Sequence, residues 1–298
     1  MSYTIIVFVK QVPDTQNITG DAMKPDGTVN RAALPAIFNP EDLNALELGI
    51  QLKERYNAKL VVGTMGPPNA SEVLRESLYR GADEAVLLTD RAFAGADTLA
   101  TSYALSCCAK KIGKFDLILC GRQAIDGDTA QVGPQLAEKL ALPQISYVEE
   151  VEEMTKKKVR ARRAIEGGYE IVDCPLPALM TVVEANDPRP ANAKNIMKFK
   201  KAMTRSELHK AHSDADYTDA EALVAEEELL KKKGLWIQEL TAEDVGADIE
   251  RIGLKGSPTK VKKIQSVVLT GADFKNIEPS EAGVNGLIHE LIEDHTLG

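Results

Sequence analysis

Along the first half of the chain, short apolar runs alternate with longer stretches in which apolar residues recur at helical spacing. Tyr3–Val9, Lys59–Thr64, Glu84–Leu88 and Leu117–Cys120 are too short for helices and nearly continuous in their hydrophobicity, as parallel strands covered on both faces require. Between the first two, Asn39-Pro40 opens a helix, with Asn39 as its cap and Pro40 at the first helical position. Glu41 and Asp42 suit the positive end of its dipole, and Leu43, Leu46, Ile50 and Leu52 form its buried stripe. A second helix runs to Tyr79 and stops at Gly81; a third, capped by Asp97, runs to Lys111 and ends at Gly113. A fourth opens near Thr129 or Ala130, with Asp126, Asp128 and Thr129 as cap types. This alternation predicts an α/β fold, a doubly wound, mostly parallel sheet with helices on both faces.

Beyond residue 143 the pattern changes. Gln144–Val148 reads as a further strand, and Val151–Glu153, Val159–Ile165 and Glu170–Val172, around Gly167-Gly168, read as an antiparallel meander. Ala178–Val183 returns to a buried strand. The stretch from Asn186 to Lys194 is a loop by its proline and asparagine content and leads into a short helix around Asn195–Lys201. Residues 213–233 are an acidic segment with a helical second half, or a charged linker. Lys260–Leu269 offers one more strand, and Gly286–Asp294 a terminal amphipathic helix. Asp26-Gly27 marks a turn, with a small hairpin continuing over Thr28–Arg31.

In open α/β sheets, ligands collect beyond the carboxyl ends of the strands. Lys10 to Thr15, Met65-Gly66-Pro67-Pro68, Thr89–Thr98 and Gly121–Asp128 are the loops there. The last enters a helix, and backbone N–H groups at a helix start attract an anion such as phosphate; an ordinary capped turn has the same composition. Arg91 and Phe93 are exposed by position, a cation and an aromatic able to meet a flat ring, unless Phe93 is tucked into a crevice.

The 298 residues, 44% hydrophobic and 27% charged, are those of a soluble globular protein of one large or two smaller domains. A net charge of -9 and only 5% aromatics argue against nucleic acid as a partner. No run reaches membrane-spanning length, and Ile5–Val9 is too short for a signal peptide, so a cytoplasmic location with reduced Cys107, Cys108, Cys120 and Cys174 is expected. His209, His212, His289 and His295 all lie late in the chain, which leaves no Ser/His/Asp or Cys/His arrangement in the body, and neither a GxGxxG nor a Walker motif is present.

The stretch GRQAIDGDTAQVGP (residues 121–134) resembles the nucleotide-binding loop of electron transfer flavoprotein β subunits. VKQVPDT near the start, NPEDLNALE (39–47), TMGPP (64–68) and DPRPANAKNIMKFKK (187–201) resemble the same family in the same order. The resemblance implies a nucleotide site made of Val9, Lys10, Asn39, Pro40, Met65, Gly66, Pro67, Gly121, Arg122, Gln123, Asp126, Gly127, Asp128, Thr129, Ala130, Gln131, Val132 and Gly133. In AMP-bearing members that nucleotide is structural; in electron-bifurcating members the pocket holds the adenosine-phosphate end of a FAD. TMGPP, DRAFAGADTLATS and GRQAIDGDTAQVGP look like the bifurcating type, with Arg91, Phe93, Asp97 and Thr98 near the flavin ring. NADH would then be the electron donor. The FAD of an α subunit, serving an acyl-CoA dehydrogenase-type flavoenzyme docked through the 187–201 loop, would take one electron, and ferredoxin or flavodoxin the other. Where the family pattern carries a bulky aliphatic anchor before Asn-Ile-Met, this chain has Ala193 and Lys194. The resemblance also divides the chain into a nucleotide-binding domain, residues 1–201, and an arm, 202–298, that leaves it to wrap the α subunit. A non-redox adenine-nucleotide-binding regulator is the competing reading.

Overall fold

Every residue from Ile5 to Phe8 is buried, so the strand they form, β1 (Thr4–Phe8), must be covered on both faces. The computed structural model describes residues 3–14, 35–184, 187–213, 220–260 and 276–293. The next repeating units are α1 (Pro40–Tyr56), β4 (Lys59–Met65), α2 (Ser71–Arg80), β5 (Glu84–Leu88), α3 (Thr98–Ile112), β6 (Leu117–Gly121) and α4 (Val132–Leu140). Two short strands, β2 (Gln11–Pro13) and β3 (Ala36–Phe38), pair antiparallel beside them. The turn at Asp26-Gly27 and the strand at Thr28–Arg31 lie outside the described residues.

The order β5-β4-β1-β6 is parallel throughout. From β1 the chain steps outward twice, through α1 and α2, which bury Leu46, Leu48, Val73 and Leu74 on one face. It then crosses back through α3 to the far side of β1, and α3 and α4 bury Ala104, Cys108 and Leu136 on the other face. The strand order therefore reverses between β1 and β6, and a crevice opens above their carboxyl ends.

Beyond β6 the sheet continues with β10 (Ala178–Val182) and then β7 (Gln144–Met154), both parallel. β7 turns antiparallel into β8 (Lys158–Ile165) and β9 (Gly168–Pro175), the predicted meander. In β7 the buried residues are Ile145, Val148, Val151 and Met154, every third position instead of every second. Two register shifts against β8, one on either side of the Glu150–Val151 pairing, supply the extra residues. Such bulges twist a strand and re-aim its side chains.

After α5 (Ala193–Phe199) come α6 (Arg205–Ser213) and α7 (Ala220–Lys232). The chain was expected to leave the body at residue 202, but described residues on both sides of 214–219 pack against it. Ala202, Thr204, Leu208, Leu230, Leu235 and Ile237 are buried, and β11 (Gln238–Leu240) joins the sheet parallel to β5. The sheet reads β11-β5-β4-β1-β6-β10-β7-β8-β9. Residues 241–257 then lie along α3, with Ala242, Ile252 and Ser257 buried. The strand expected at Lys260–Leu269 falls almost wholly outside the described residues. α8 (Glu281–Glu293) has no buried residue. No described helix is long and apolar enough to cross a membrane.

Candidate functional site

One side chain links the two strand ends at this crevice. Asp42, in the first turn of α1, accepts a hydrogen bond from Lys10 N (2.8 Å) with one carboxylate oxygen and from Gly121 N (3.1 Å) with the other. It thereby joins the ends of the two strands at which the order reverses. Gly121 is required here, because a Cβ at that position would run into the Asp42 carboxylate. Burial pushes the Asp42 carboxyl up to about 7, against the lowering effect of Asn39, the two N–H donors and the Lys10 charge.

Asn39 begins α1 as expected, yet its side chain does not cap the helix. It reaches across the crevice: Nδ2 donates to Gln123 O (2.9 Å), and Oδ1 accepts from Ile125 N (3.2 Å). Fully buried, Asn39 fixes the loop after β6 to the start of α1. Arg122 pairs with Glu41 (2.6 Å), and Lys10 with Asp126 (2.7 Å). Gln123 Nε2 donates to Asp128 Oδ1 (3.0 Å). Both aspartates of the loop are thus engaged by a cation or an amide donor.

The loop bends more sharply than its composition suggests. Asp128 and Ala130 both have left-handed backbones (φ 47° and 51°), which non-glycine residues adopt at a cost of about 1 kcal/mol each. This delays the helix: α4 starts at Val132, with Gln131 at the cap position and no side-chain cap, so the expected opening at Thr129 or Ala130 is corrected. The exposed Thr129 and Gln131 flank the mouth, and Val132 and Gly133 present N–H groups that no turn of the helix can accept. Gly133 seats α4 on β10, where a Cβ would lie 2.6 Å from Thr181 Cγ2.

Two more loops border this edge. Gly66 turns the chain after β4, its N–H donating to Leu88 O (3.1 Å), with Met65 half-buried and Pro67 exposed; Val9 N bonds Gly63 O (2.9 Å). In the turn after β5, Arg91 is exposed and makes no ion pair among the described residues. Phe93, by contrast, is 6% exposed and packs with Leu88 and Ile252 in the core. Of its two readings, exposed or tucked into a crevice, the tucked one holds: it anchors the turn. Asp97 caps α3 through Ala100 N (3.0 Å), as its position predicts, and Thr98 Oγ1 donates to Gln131 Oε1 (2.9 Å). That bond ties the turn after β5 to the start of α4.

Sequence reading assigned Asp42 only to the helix dipole. An acid beside another acid at a helix start carries no local mark of a partner eighty residues away.

Residues 26–207 match the electron transfer flavoprotein domain family. An electron transfer flavoprotein subunit beta of Clostridium acetobutylicum is 42% identical over 98% of both chains. The chain belongs to the electron transfer flavoprotein family, on its β-subunit side. Subunit CarD of the caffeyl-CoA reductase-Etf complex of Acetobacterium woodii is 51% identical over 65% of this chain and 73% of its own length. The acryloyl-CoA reductase electron transfer subunit gamma of Anaerotignum propionicum is 37% identical over 98% and 99%. Electron transfer is the role these relatives share by name, as subunits of complexes. All five blocks that carried the family resemblance fall, wholly or in part, at the carboxyl edge of the sheet or at the root of α5.

The arrangement suits a nucleotide. Loop N–H groups and the start of α4 favour an anion, the neighbouring acids are occupied by Lys10 and Gln123, and the strained backbone at Asp128 and Ala130 belongs to the mouth.

Proposed function

We propose that this chain holds FAD at the β1–β6 crevice and serves, in the cytoplasm, as the β subunit of an electron-bifurcating electron transfer flavoprotein. The observation that carries the reading is the Thr98–Gln131 hydrogen bond, which makes one continuous rim of the α4 loop and the Arg91–Thr98 turn. A nucleotide ending at a single phosphate needs only the first of these; a dinucleotide that runs on to a flavin needs both. The names of the relatives from Acetobacterium woodii and Anaerotignum propionicum, which are subunits for CoA-ester reductases, support the same reading.

Thr129, Gln131 and the Val132 and Gly133 N–H groups hold the phosphates, by hydroxyl, amide and backbone. Asn39 and Asp42 keep that loop in register with β1. Arg91 faces the ring end, where a cation favours negative charge on the reduced flavin. When bound, the flavin supplies acceptance of a hydride from NADH and release of its two electrons separately, one toward the α-subunit FAD and an acyl-CoA dehydrogenase-type partner, the other to ferredoxin or flavodoxin. The chain's own part is position and electrostatics, and none of its side chains forms a covalent bond in the reaction.

The test is the flavin and adenine-nucleotide content of the purified α/β complex. Two FAD per heterodimer are expected, with the second lost or its NADH-dependent ferredoxin reduction reduced about ten-fold or more in Arg91→Ala. One FAD plus one AMP would sink the proposal.

A further inference from the structure

The turn after β5 is held from outside by a segment more than 150 residues later. Asp97 N donates to Ser257 Oγ (2.8 Å, 160 residues apart), and Thr259 N donates to Asp97 Oδ2 (3.0 Å, 162 residues apart). Ser257 Oγ in turn donates to Gly253 O (2.6 Å), and Leu254 N donates to Ala94 O (3.0 Å). Ser257 is 3% exposed, so its hydroxyl is committed to these partners. Gly253 has a left-handed backbone (φ +55°), and a Cβ there would run into the Ala92 carbonyl oxygen. A glycine is thus needed on two counts where the two segments touch. Farther along, Asp248 N donates to Tyr103 Oη (3.1 Å), and the Arg251 guanidinium sits 3.9 Å from the centre of the Tyr103 ring.

Asp97 stands at the centre of this set. Burial tends to raise its carboxyl, but the N–H groups of Ala100, Thr259 and Leu99 outweigh it and hold the carboxyl below the usual range. One oxygen caps α3 and the other receives the later segment, so the start of α3, and through Thr98 the start of α4, are coupled to residues 252–259. With both oxygens used inside the protein, Asp97 is placed to position its neighbours and not to touch a ligand.

We infer that residues 252–259 form a clasp that fixes the conformation of the Arg91–Thr98 turn, with Ser257 and Asp97 as its positioning residues. The consequence for flavin rests on the proposal that this turn borders the flavin ring. Among the described residues, Phe93 anchors the turn to the core and Thr98 bonds Gln131, whereas Ala94, Gly95 and Ala96 have no side chains long enough to hold it on this side. The clasp also lies in the chain between β11 and α8, so the end of the protein that carries the exposed helix is the end that secures the turn.

The experiment is hydrogen exchange on the co-purified α/β complex, comparing wild type with Ser257→Ala and Gly253→Ala. The informative amides are those of Ala92, Phe93, Ala94 and Ala96, whose acceptors lie within the turn itself. Their exchange is expected to quicken about ten-fold, the scale of one lost hydrogen bond, while β4 and β5 amides keep wild-type rates. Ser257→Ala removes a single oxygen and tests the clasp even if Gly253→Ala fails to fold. Quickening confined to the Asp97 amide, or none, overturns the proposal. Visible circular dichroism of bound flavin is recorded on the same samples. A changed flavin band with faster exchange supports both readings; faster exchange with an unchanged band keeps the clasp and removes the flavin from this turn.

Discussion

Asp42 shows how much one side chain can decide. It holds the exits of β1 and β6 together, and burial raises its carboxyl from 3.8 to about 7. A carboxyl raised on folding binds more protons in the folded state, so its contribution favours folding at low pH and declines as pH rises from about 4 to about 7. The full difference is roughly 4 kcal/mol. Asp42→Asn has no charge to bury, but its amide nitrogen must face Lys10 N or Gly121 N, which loses an acceptor at a cost of about 1–3 kcal/mol. Urea unfolding should therefore find the variant less stable than wild type at pH 4.5 and level with it or better at pH 7.5. A gap that does not change with pH would mean the carboxylate is ionised throughout. Asn39 belongs with it: both residues have a good local reason to be at a helix start, and both spend their side chains elsewhere. Local patterns identify where such residues sit, and only the strand order says what they reach.

At the scale of elements, the four βα units were legible because each declares itself locally, by an apolar run followed by helical spacing, with a glycine stop after α2 and α3. Glu84–Leu88 and the α3 cap at Asp97 agree with the sequence reading to the residue. The start of α4 was misplaced because backbone at Asp128 and Ala130 adopts a conformation their side chains do not advertise. In β7, burial at every third residue imitates a helix, and the bulges responsible exist only against β8. β11 is three residues long and follows two polar helices, so nothing marks it except the sheet edge it joins. The root of α5 is firmer than a surface loop would be. Arg189 bonds Glu47 (2.9 Å) and Glu54 (2.6 Å), and Arg80 bonds the Arg189 carbonyl. Burial tends to raise the Glu47 carboxyl, but Arg189 and Gln51 hold it below the usual range. Arg189→Gln leaves Glu47, 5% exposed, without its cation and should lower stability by about 2–3 kcal/mol in urea at pH 7. The loss should persist down to the usual carboxylate range and shrink only as pH falls below it, through the lower value at which Glu47 titrates in the folded wild type. If 187–201 docks a flavoenzyme, the same variant should weaken that docking.

At the scale of the whole molecule, the family and the doubly wound sheet were readable, and the course of the tail was not, because the pieces that return to the body are short and separated by polar helices. α8 is the piece that does not return. Val284, Leu287, Ile288 and Ile292 recur at helical spacing and stay between a third and a half exposed, an apolar stripe of the kind that needs a surface. In the heterodimer proposed above, the chain should bury this stripe on the α subunit. Ile288→Asp should then weaken assembly about ten-fold or more, measured as the fraction of heterodimer in co-purification, with the β-subunit sheet intact. Unchanged assembly would place the stripe elsewhere.

The edge position of β11 has a consequence during synthesis. Asp90 and Ala242, joined by a hydrogen bond beside β5 and β11, are 152 residues apart. At about 5–20 residues per second, the ribosome takes roughly eight to thirty seconds to deliver the second after the first. Over that interval the outer edge of Val86, Leu87 and Leu88 has no strand of its own chain to pair with. It is an open template for any other extended segment nearby. The nascent chain is thus most exposed to mispairing after its first half has emerged, and a chaperone that shields one sheet edge would serve it best at that stage.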